Sequence, residues 1–321
     1  MPTYAIGVPT LFRGLTERQG MVWRGAAGWA EWSPFLDYDG AELVPWLRAA
    51  DEAAEQGWPP PVRTAIEVNS TIPAVGPEPA FARAQAAGCL TAKVKVAEPG
   101  GSLADDLARV EAVRDALGSA GRVRVDANGA WSVDQAESAI RQLSRFDLEY
   151  VEQPCCTVED LAGLRRRLAR DGVEVLIAAD ESIRRAGDPM LVARLAAADV
   201  VVLKVQPLGG VRAALMIAER IGLPVVVSSA LETSIGLRAG LALAAALPEL
   251  PYACGLNTAG LLAGDLAAET LAAVDGVIRL REIEVDPAAL DQHRADPGVE
   301  EFWQARLVQT RELALRQAQG A

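Results

Sequence analysis

Histidine and lysine are almost missing from this chain of 321 residues. There is one histidine, His293, and only three of the 31 basic residues are lysine: Lys93, Lys95 and Lys204. His293 lies in a polar tail segment, 286–297, and reads as a solvated side chain. Its isolation argues against Ser-His-Asp triads, Cys-His dyads and His-rich zinc sites. Cysteine is scarce too. Cys89, Cys155, Cys156 and Cys254 form no CxxC pair and sit in or beside apolar segments, so they read as reduced core residues of a cytoplasmic protein. Long apolar runs are lacking. Stretches such as 200–203 and 241–247 fall far short of the roughly 20 residues that cross a bilayer, so no membrane partner is expected. The first ten residues lack a basic start followed by an apolar block, and no secretory signal is expected. An excess of positive charge is also absent. The formal net charge is −12, and a protein that binds nucleic acid needs surplus Lys and Arg to displace counterions. What remains is a globular composition, 50% hydrophobic and 23% charged, which excludes disorder as the main state. The length suits two domains, or one barrel with an attachment.

From residue 64 a unit recurs. Strand-like runs at 64–68, 92–96, 123–126, 148–152, 175–180, 200–205, 224–229 and 252–256 alternate with amphipathic helical stretches. Leu103, Leu107, Val110 and Leu117 mark one helical stripe, interrupted by Arg114. Ser132 and Gln135 form a capping-box pair ahead of Ala136, Ile140 and Leu143. Asp188-Pro189 reads as another helix start, and Gly222 before Pro224 as a helix stop. Eight strands alternating with helices predict an α/β fold: a modified (β/α) barrel of the triosephosphate-isomerase type. No GxGxxG follows a strand, which disfavours a dinucleotide-binding open sheet; Gly209-Gly210 reads as a turn. The first 63 residues differ. They hold Trp23, Trp29, Trp32, Trp46 and Trp58, a hairpin turn at 25–28 and a helix at 41–56, and predict a small α+β domain with a tryptophan-rich core. A final helix is expected at 300–317, packing back on that domain. The division expected is 1–63 for the cap, 64–281 for the barrel and 282–321 for the returning tail.

Barrel enzymes carry their reactive groups at the C-terminal ends of the strands. The second run carries Lys93-Val94-Lys95, and alternation puts both lysines on one face. The third ends in Asp126-Ala127-Asn128, the fourth in Glu152-Gln153-Pro154, and the fifth in Asp180-Glu181-Ser182. The sixth carries Lys204 and the seventh ends in Ser228-Ser229. Three carboxylates from successive strands can converge on one hard cation such as Mg²⁺. Without a cation they would repel and raise one another's pKa. Lysines flanking such an ion suit removal of a proton α to a carboxylate. The metal stabilises the charge that develops, and an ammonium near other positive charge loses its proton more readily.

The residues that carry the resemblance are 12–16 (FRGLT), 28–31 (GWAE), 33–35 (SPF), 91–100 (TAKVKVAEPG), 125–130 (VDANGA), 149–154 (EYVEQP), 178–183 (AADESI), 203–210 (LKVQPLGG) and 225–230 (VVVSSA). With them the chain resembles the enolase superfamily, its muconate-lactonising subgroup, and within that the short actinobacterial o-succinylbenzoate synthase family. The resemblance implies Asp126, Glu152 and Asp180 as Mg²⁺ ligands, with Mn²⁺ as the alternative ion and Asn128 supporting the metal shell. It implies Lys95 as the base that takes the α-proton of 2-succinyl-6-hydroxy-2,4-cyclohexadiene-1-carboxylate. The same ammonium then protonates the departing hydroxyl, a syn dehydration through an enediolate to 2-succinylbenzoate, within menaquinone biosynthesis. Lys204 would stabilise the enediolate across the ring, and Lys93 would hydrogen-bond the substrate carboxylate. Ser228 and Ser229 would hold the succinyl group. Arg13, Gly14 and Thr16, with 33–35, would close over the substrate. Two rivals stand beside this reading. One is an N-succinylamino acid racemase using Lys95 and Lys204 as two bases; the other is a barrel kept only for binding, which predicts the loss of at least one catalytic position.

Overall fold

The computed structural model describes residues 1–12, 14–185 and 187–319. Strands β1 (Thr3–Phe12), β2 (Leu15–Arg24) and β3 (Trp29–Trp32) form an antiparallel meander, and the hairpin at 25–28 pairs Arg24 with Trp29 as the sequence predicts. The helix Leu43–Glu55 packs its apolar face, with Trp46 and Leu47 buried, against this sheet. Trp32 and Trp46 are fully buried, so most of the tryptophan set is core, while Trp29 and Trp58 stay partly exposed.

The barrel departs from the sequence expectation at its seam. Strand β4 (Ala65–Glu67) is not the first stave. It pairs antiparallel with β12 (Val277–Arg279) outside the main sheet. The first stave is β5 (Ser70–Ile72), a run with two hydroxyl residues that hid its strand character. It is followed by β6 (Thr91–Lys95), β7 (Arg122–Asp126), β8 (Leu148–Glu152), β9 (Ile177–Ala179), β10 (Val200–Leu203) and β11 (Val225–Val227). Among the described residues these seven form one parallel sheet in chain order. The run at 252–256 makes no strand. It closes the sheet through two bridges, Val68 with Cys254 and Ser228 with Gly255, and through Cys254 N donating to Glu67 O at 2.7 Å and Gly255 N to Val227 O at 2.8 Å.

The helices between staves cover the outer face. Ser102 and Ser132 both form capping boxes, the second as predicted. Asp188 does not cap a helix at Pro189. The helix begins later, at Leu191–Arg194, and Asp188 instead accepts from Met190 N. Cys89, Cys155 and Cys254 are buried thiols, but Cys156 is exposed and is no core residue. The tail helix, Pro297–Gln319, returns to the meander. Trp303 is fully buried, meets Trp32 edge-on at 5.4 Å and donates to Gln19 Oε1 at 2.9 Å.

Two cap carboxylates dock this meander on the mouth of the barrel. Glu52 accepts from Val211 N and Arg212 N at the start of helix Val211–Ile221. The chain comes so close there that a Cβ on Gly210 (φ +118°) would stand 2.2 Å from Glu52 Oε2. Glu31 accepts from Thr233 N at 3.2 Å and Gly236 N at 3.1 Å at the start of helix Ser234–Ala246. Each carboxylate satisfies orphan amides and faces the positive end of a helix dipole. Burial and the neighbouring Glu31 push Glu232, on the same seam, up to about 7.

Replacing Trp303 by Ala should cost about 3–5 kcal/mol in urea denaturation, as for other buried tryptophans, by undocking the tail helix. For Glu232 the folded pKa lies above its ordinary value of 4.5, so stability is lost progressively as pH rises from 4.5 to about 7. Glu232→Gln keeps an acceptor without the charge. It should stabilise the protein at pH 8 by up to about 3 kcal/mol, with the gain fading toward pH 4.5; denaturation curves at the two pH values check the sign.

Candidate active site

Alternation along the parallel strands decides which side chains enter the barrel. On the face that carries Lys93 and Lys95, β7 contributes Arg124 and Asp126, and β8 contributes Tyr150 and Glu152. The lower residues make a floor. Tyr150, Ala178, Val200, Val202 and Val226 pack together, with the Arg124 guanidinium 4.7 Å from the centre of the Tyr150 ring. Two residues up each strand the floor gives way to charge. Lys95 is in register with Asp126, and Asp126 with Glu152. Asp180 follows the end of β9. Lys204 follows β10 and precedes the turn Val205–Leu208, so it lies just past its strand and not within it.

The charges meet in an alternating network. Lys93 Nζ lies 2.8 Å from Glu152 Oε1 and 3.4 Å from Asp126 Oδ2. Lys95 Nζ is 2.6 Å from Asp126 Oδ2 and also donates to Asn128 Oδ1. Lys204 Nζ is 2.6 Å from Asp180 Oδ2, whose other oxygen accepts from Arg184 Nε at 3.1 Å. All these lysines and acids are buried or nearly so. Their titration follows from the pairing. Burial works against the Lys93 ammonium, but Glu152 and Asp126 raise its pKa well above the ordinary value. Burial alone would raise Asp126; Lys95 and Lys93 instead hold it well below the carboxylate range. Asp180 is lowered to about 2, with burial opposed by Lys204 and Arg184. Glu152 goes the other way, to about 7, because burial and the charges of Asp126 and Asp180 outweigh Lys93. Lys204 is lowered by burial, which exceeds the attraction of Asp180 and is aided by Arg184 and Lys93.

The donor set is all oxygen, which suits a hard cation, and burial with Asp126 and Asp180 makes the Glu152 charge costly despite Lys93. As the side chains stand, no three acidic, histidine or cysteine groups among the described residues are close enough to hold an ion; ammonium groups fill the spaces between the acids. Asn128 adopts φ 46°, a left-handed conformation that asparagine tolerates. It bridges Lys95 to Glu181 through its Nδ2, 3.1 Å from Glu181 Oε1.

A narrow cleft of about 40 Å³ opens above this network. It is lined by Lys93, Lys95, Asp126, Asn128 and Lys204 from the barrel and by Phe12 and Phe35 from the cap. Phe12 reaches over the site, its ring centre 5.1 Å from Lys95 Nζ. Ser228 and Ser229 also line the cleft, and Ser229 Oγ lies 2.7 Å from Thr258 Oγ1. Gly14 sits exposed in the β1–β2 turn at φ 72°. Arg13 falls outside the described residues. His293 ends the helix Pro287–Gln292 and packs by Gly264, away from the residues that line the cleft. Sequence reasoning missed Arg184, Thr71, Leu231 and Thr258, which complete the wall. Arg184 was within reach of it, since the spacing Asp180 to Arg184 is one helical turn. Thr71 was lost with the missed strand β5.

Comparison with known proteins agrees with this architecture. Residues 3–54 match the family model described as enolase N-terminal domain-like, and residues 79–286 the one described as enolase C-terminal domain-like. The o-succinylbenzoate synthase of Thermobifida fusca (strain YX) is 61% identical over 308 residues, 96% of this chain and 95% of that protein. The crystal structure of muconate cycloisomerase from Pseudomonas fluorescens superposes with a TM-score of 0.76 at 25% identity, over 92% of this chain and 98% of that one. The N-succinyl Arg/Lys racemase of Bacillus cereus shares the fold at a TM-score of 0.78, over 92% of this chain and 96% of that one, but only 20% identity. The racemase is thus a distant structural neighbour, while the near relatives carry the synthase name. The chain belongs to the enolase superfamily and, within it, to the o-succinylbenzoate synthase family.

Proposed function

We infer that this chain is an o-succinylbenzoate synthase, a hydro-lyase. It removes water from 2-succinyl-6-hydroxy-2,4-cyclohexadiene-1-carboxylate to give 2-succinylbenzoate, a cytoplasmic step toward menaquinone. The observation that carries this reading is the placement of all three lysines of the chain in one cleft, against acids from three neighbouring staves. No other lysine exists to do anything else. A chain kept only for binding has no need of such a buried array.

Asp126, Glu152 and Asp180 would hold Mg²⁺, with Mn²⁺ as the alternative ion, and Asn128 would steady this set through Lys95 and Glu181. A divalent cation there supplies Lewis-acid stabilisation of the negative charge that builds on the substrate carboxylate as the α-proton leaves. The rest falls to side chains. Lys95 Nζ, acting as the base, takes that proton, and the carbon–hydrogen electron pair moves onto the carboxylate. The ammonium so formed gives the proton to the hydroxyl on the same face. That electron pair returns to form the ring double bond as the carbon–oxygen bond breaks, water leaves, and the ring becomes aromatic. One base serving both steps makes the elimination syn. Lys204, held by Asp180 on the other side, opposes the developing charge through its own charge and by cation–π contact with the ring. Lys93 anchors Glu152 and donates toward the substrate carboxylate. Ser228 and Ser229 offer hydroxyls to the succinyl chain, with Phe12 and Phe35 covering the apolar ring. Gly14, in the β1–β2 turn, and Arg13, its neighbour in sequence, would help to close over the substrate. The partner is this small molecule, with no role for nucleic acid, and no helix among the described residues is long and apolar enough to cross a membrane.

Purified protein should dehydrate the cyclohexadiene substrate, followed by ultraviolet absorbance. Lys95→Ala and Lys204→Ala should each lower kcat by about 10²–10⁴-fold, the usual worth of a positioned acid or base. Turnover should vanish in EDTA and return with Mg²⁺. The same preparation assayed for racemisation of N-succinyl amino acids tests the rival. Racemisation without dehydration would overturn the synthase reading.

A further inference from the structure

Arg18 lies on β2, in the cap, and is almost fully buried. It lines no part of the cleft, yet it holds two of the cleft walls. On the barrel side its Nε donates to Leu231 O at 3.0 Å and its Nη2 to Ala230 O at 3.3 Å. On the cap side Nη2 also donates to Ser33 O, and the guanidinium stacks 4.6 Å from the centre of the Phe35 ring. Phe35, Ala230 and Leu231 all line the cleft.

The barrel wall needs such a clamp. Leu231 has φ +60°, a left-handed conformation that a leucine adopts only when its surroundings enforce it. The enforcement comes from two sides. Glu232 Oε2 accepts from Ala230 N at 2.6 Å, and Ser229 Oγ accepts from Leu231 N at 3.3 Å, so the amides are tied within the loop. Both carbonyls are left for the guanidinium. Only arginine carries donors enough, in a fixed plane, to bond carbonyls of two segments at once and still present a face to an aromatic ring.

We propose that Arg18 is a positioning residue for substrate binding. It sets the separation between the 33–35 segment of the cap and the 229–231 loop of the barrel, the two walls between which the substrate is gripped, Phe35 over its ring and Ser229 on its succinyl chain. The proposal rests on the function inferred above. It goes beyond it by placing a determinant of affinity outside the cleft, in a side chain that meets neither substrate nor metal.

Arg18→Lys keeps a positive charge facing Glu31 and Glu232 but can bond only one wall. KM for the cyclohexadiene substrate should rise by about tenfold, with kcat changed by less than about twofold, the signature of lost binding with intact chemistry. A poorly folded fraction lowers apparent kcat and leaves KM untouched, so an unchanged KM, with any loss confined to kcat or melting temperature, overturns the proposal. The second measurement needs no substrate. Hydrogen exchange should quicken in segments 33–36 and 229–232 of the variant relative to β10. Exchange that stays the same, or quickens uniformly, counts against the clamp. A parent protein that fails to turn over the substrate refutes the proposed function instead, and the exchange comparison still decides whether Arg18 holds the walls.

Discussion

Buried carboxylates at the ends of adjacent strands are the constraint from which the rest follows. Asp126 and Glu152 are in register on neighbouring staves, and Asp180 follows on the next. Three such charges in a closed barrel cannot persist without cations among them. The chain answers with three ammonium groups and one guanidinium, each bonded to at least one acid. The compensation is uneven. Asp126 and Asp180 are held below the usual carboxylate range, while burial, with Asp126 and Asp180 beside it, holds Glu152 above it despite Lys93. That imbalance marks where further positive charge would be welcome, and it sits at the middle stave of the three.

A site built at the open rim of a barrel needs a cover. Here the cover is fixed by electrostatics as much as by apolar packing. Glu31 and Glu52 leave the cap to seat on the first turns of two barrel helices, which begin just after strands and so open toward the rim. Carboxylates buried this way are well matched by several amide donors. They also make the docking directional, which an apolar seam would not. Phe12 and Phe35 then fall over the cleft as a consequence of where the meander is seated.

The sequence disclosed the site more fully than the fold. Residues at strand ends stand out because a charge at the end of a β-branched run is costly unless it serves a purpose, and Lys93, Lys95, Asp126, Glu152, Asp180 and Lys204 all stood in such places. The seam of the barrel was obscure for the converse reason. Stave β5 is three residues long and mostly hydroxylic, and the closing segment around Cys254 and Gly255 makes bridges instead of a strand, so neither leaves a periodic trace. The more apolar run at β4 drew the assignment although it pairs elsewhere. The residues that join cap to barrel were invisible for a third reason. Arg18, Glu31 and Glu232 meet across more than 200 positions of sequence, and nothing local distinguishes a buried arginine in a chain that uses arginine everywhere.

That preference for arginine has a physical logic. Where the chain needs a cation to tie loops together, it places a guanidinium over several carbonyls. Arg306 bonds Pro34, Phe35 and Tyr38; Arg114 bonds Phe146, Gly118, Gly121 and Asp147; Arg63 bonds Ala244, Leu247 and Pro248. Each is a fork that ties loops together, and a proton lost from any of them would serve no end. Proton transfer asks for the opposite: a compact amine whose neutral form lies within reach of its surroundings. The chain keeps lysine for the cleft alone, Lys95 as the proposed base and Lys93 and Lys204 as ammonium groups paired with acids. Burial already lowers Lys204, and Arg184 beside it adds to the effect. Arg184 also holds Asp180 in its ionised form, and Asp180 in turn opposes that lowering by pairing with the Lys204 ammonium. Exchanging Lys204 and Arg184 would leave the net charge the same but put a planar fork where the cleft now has a compact ammonium.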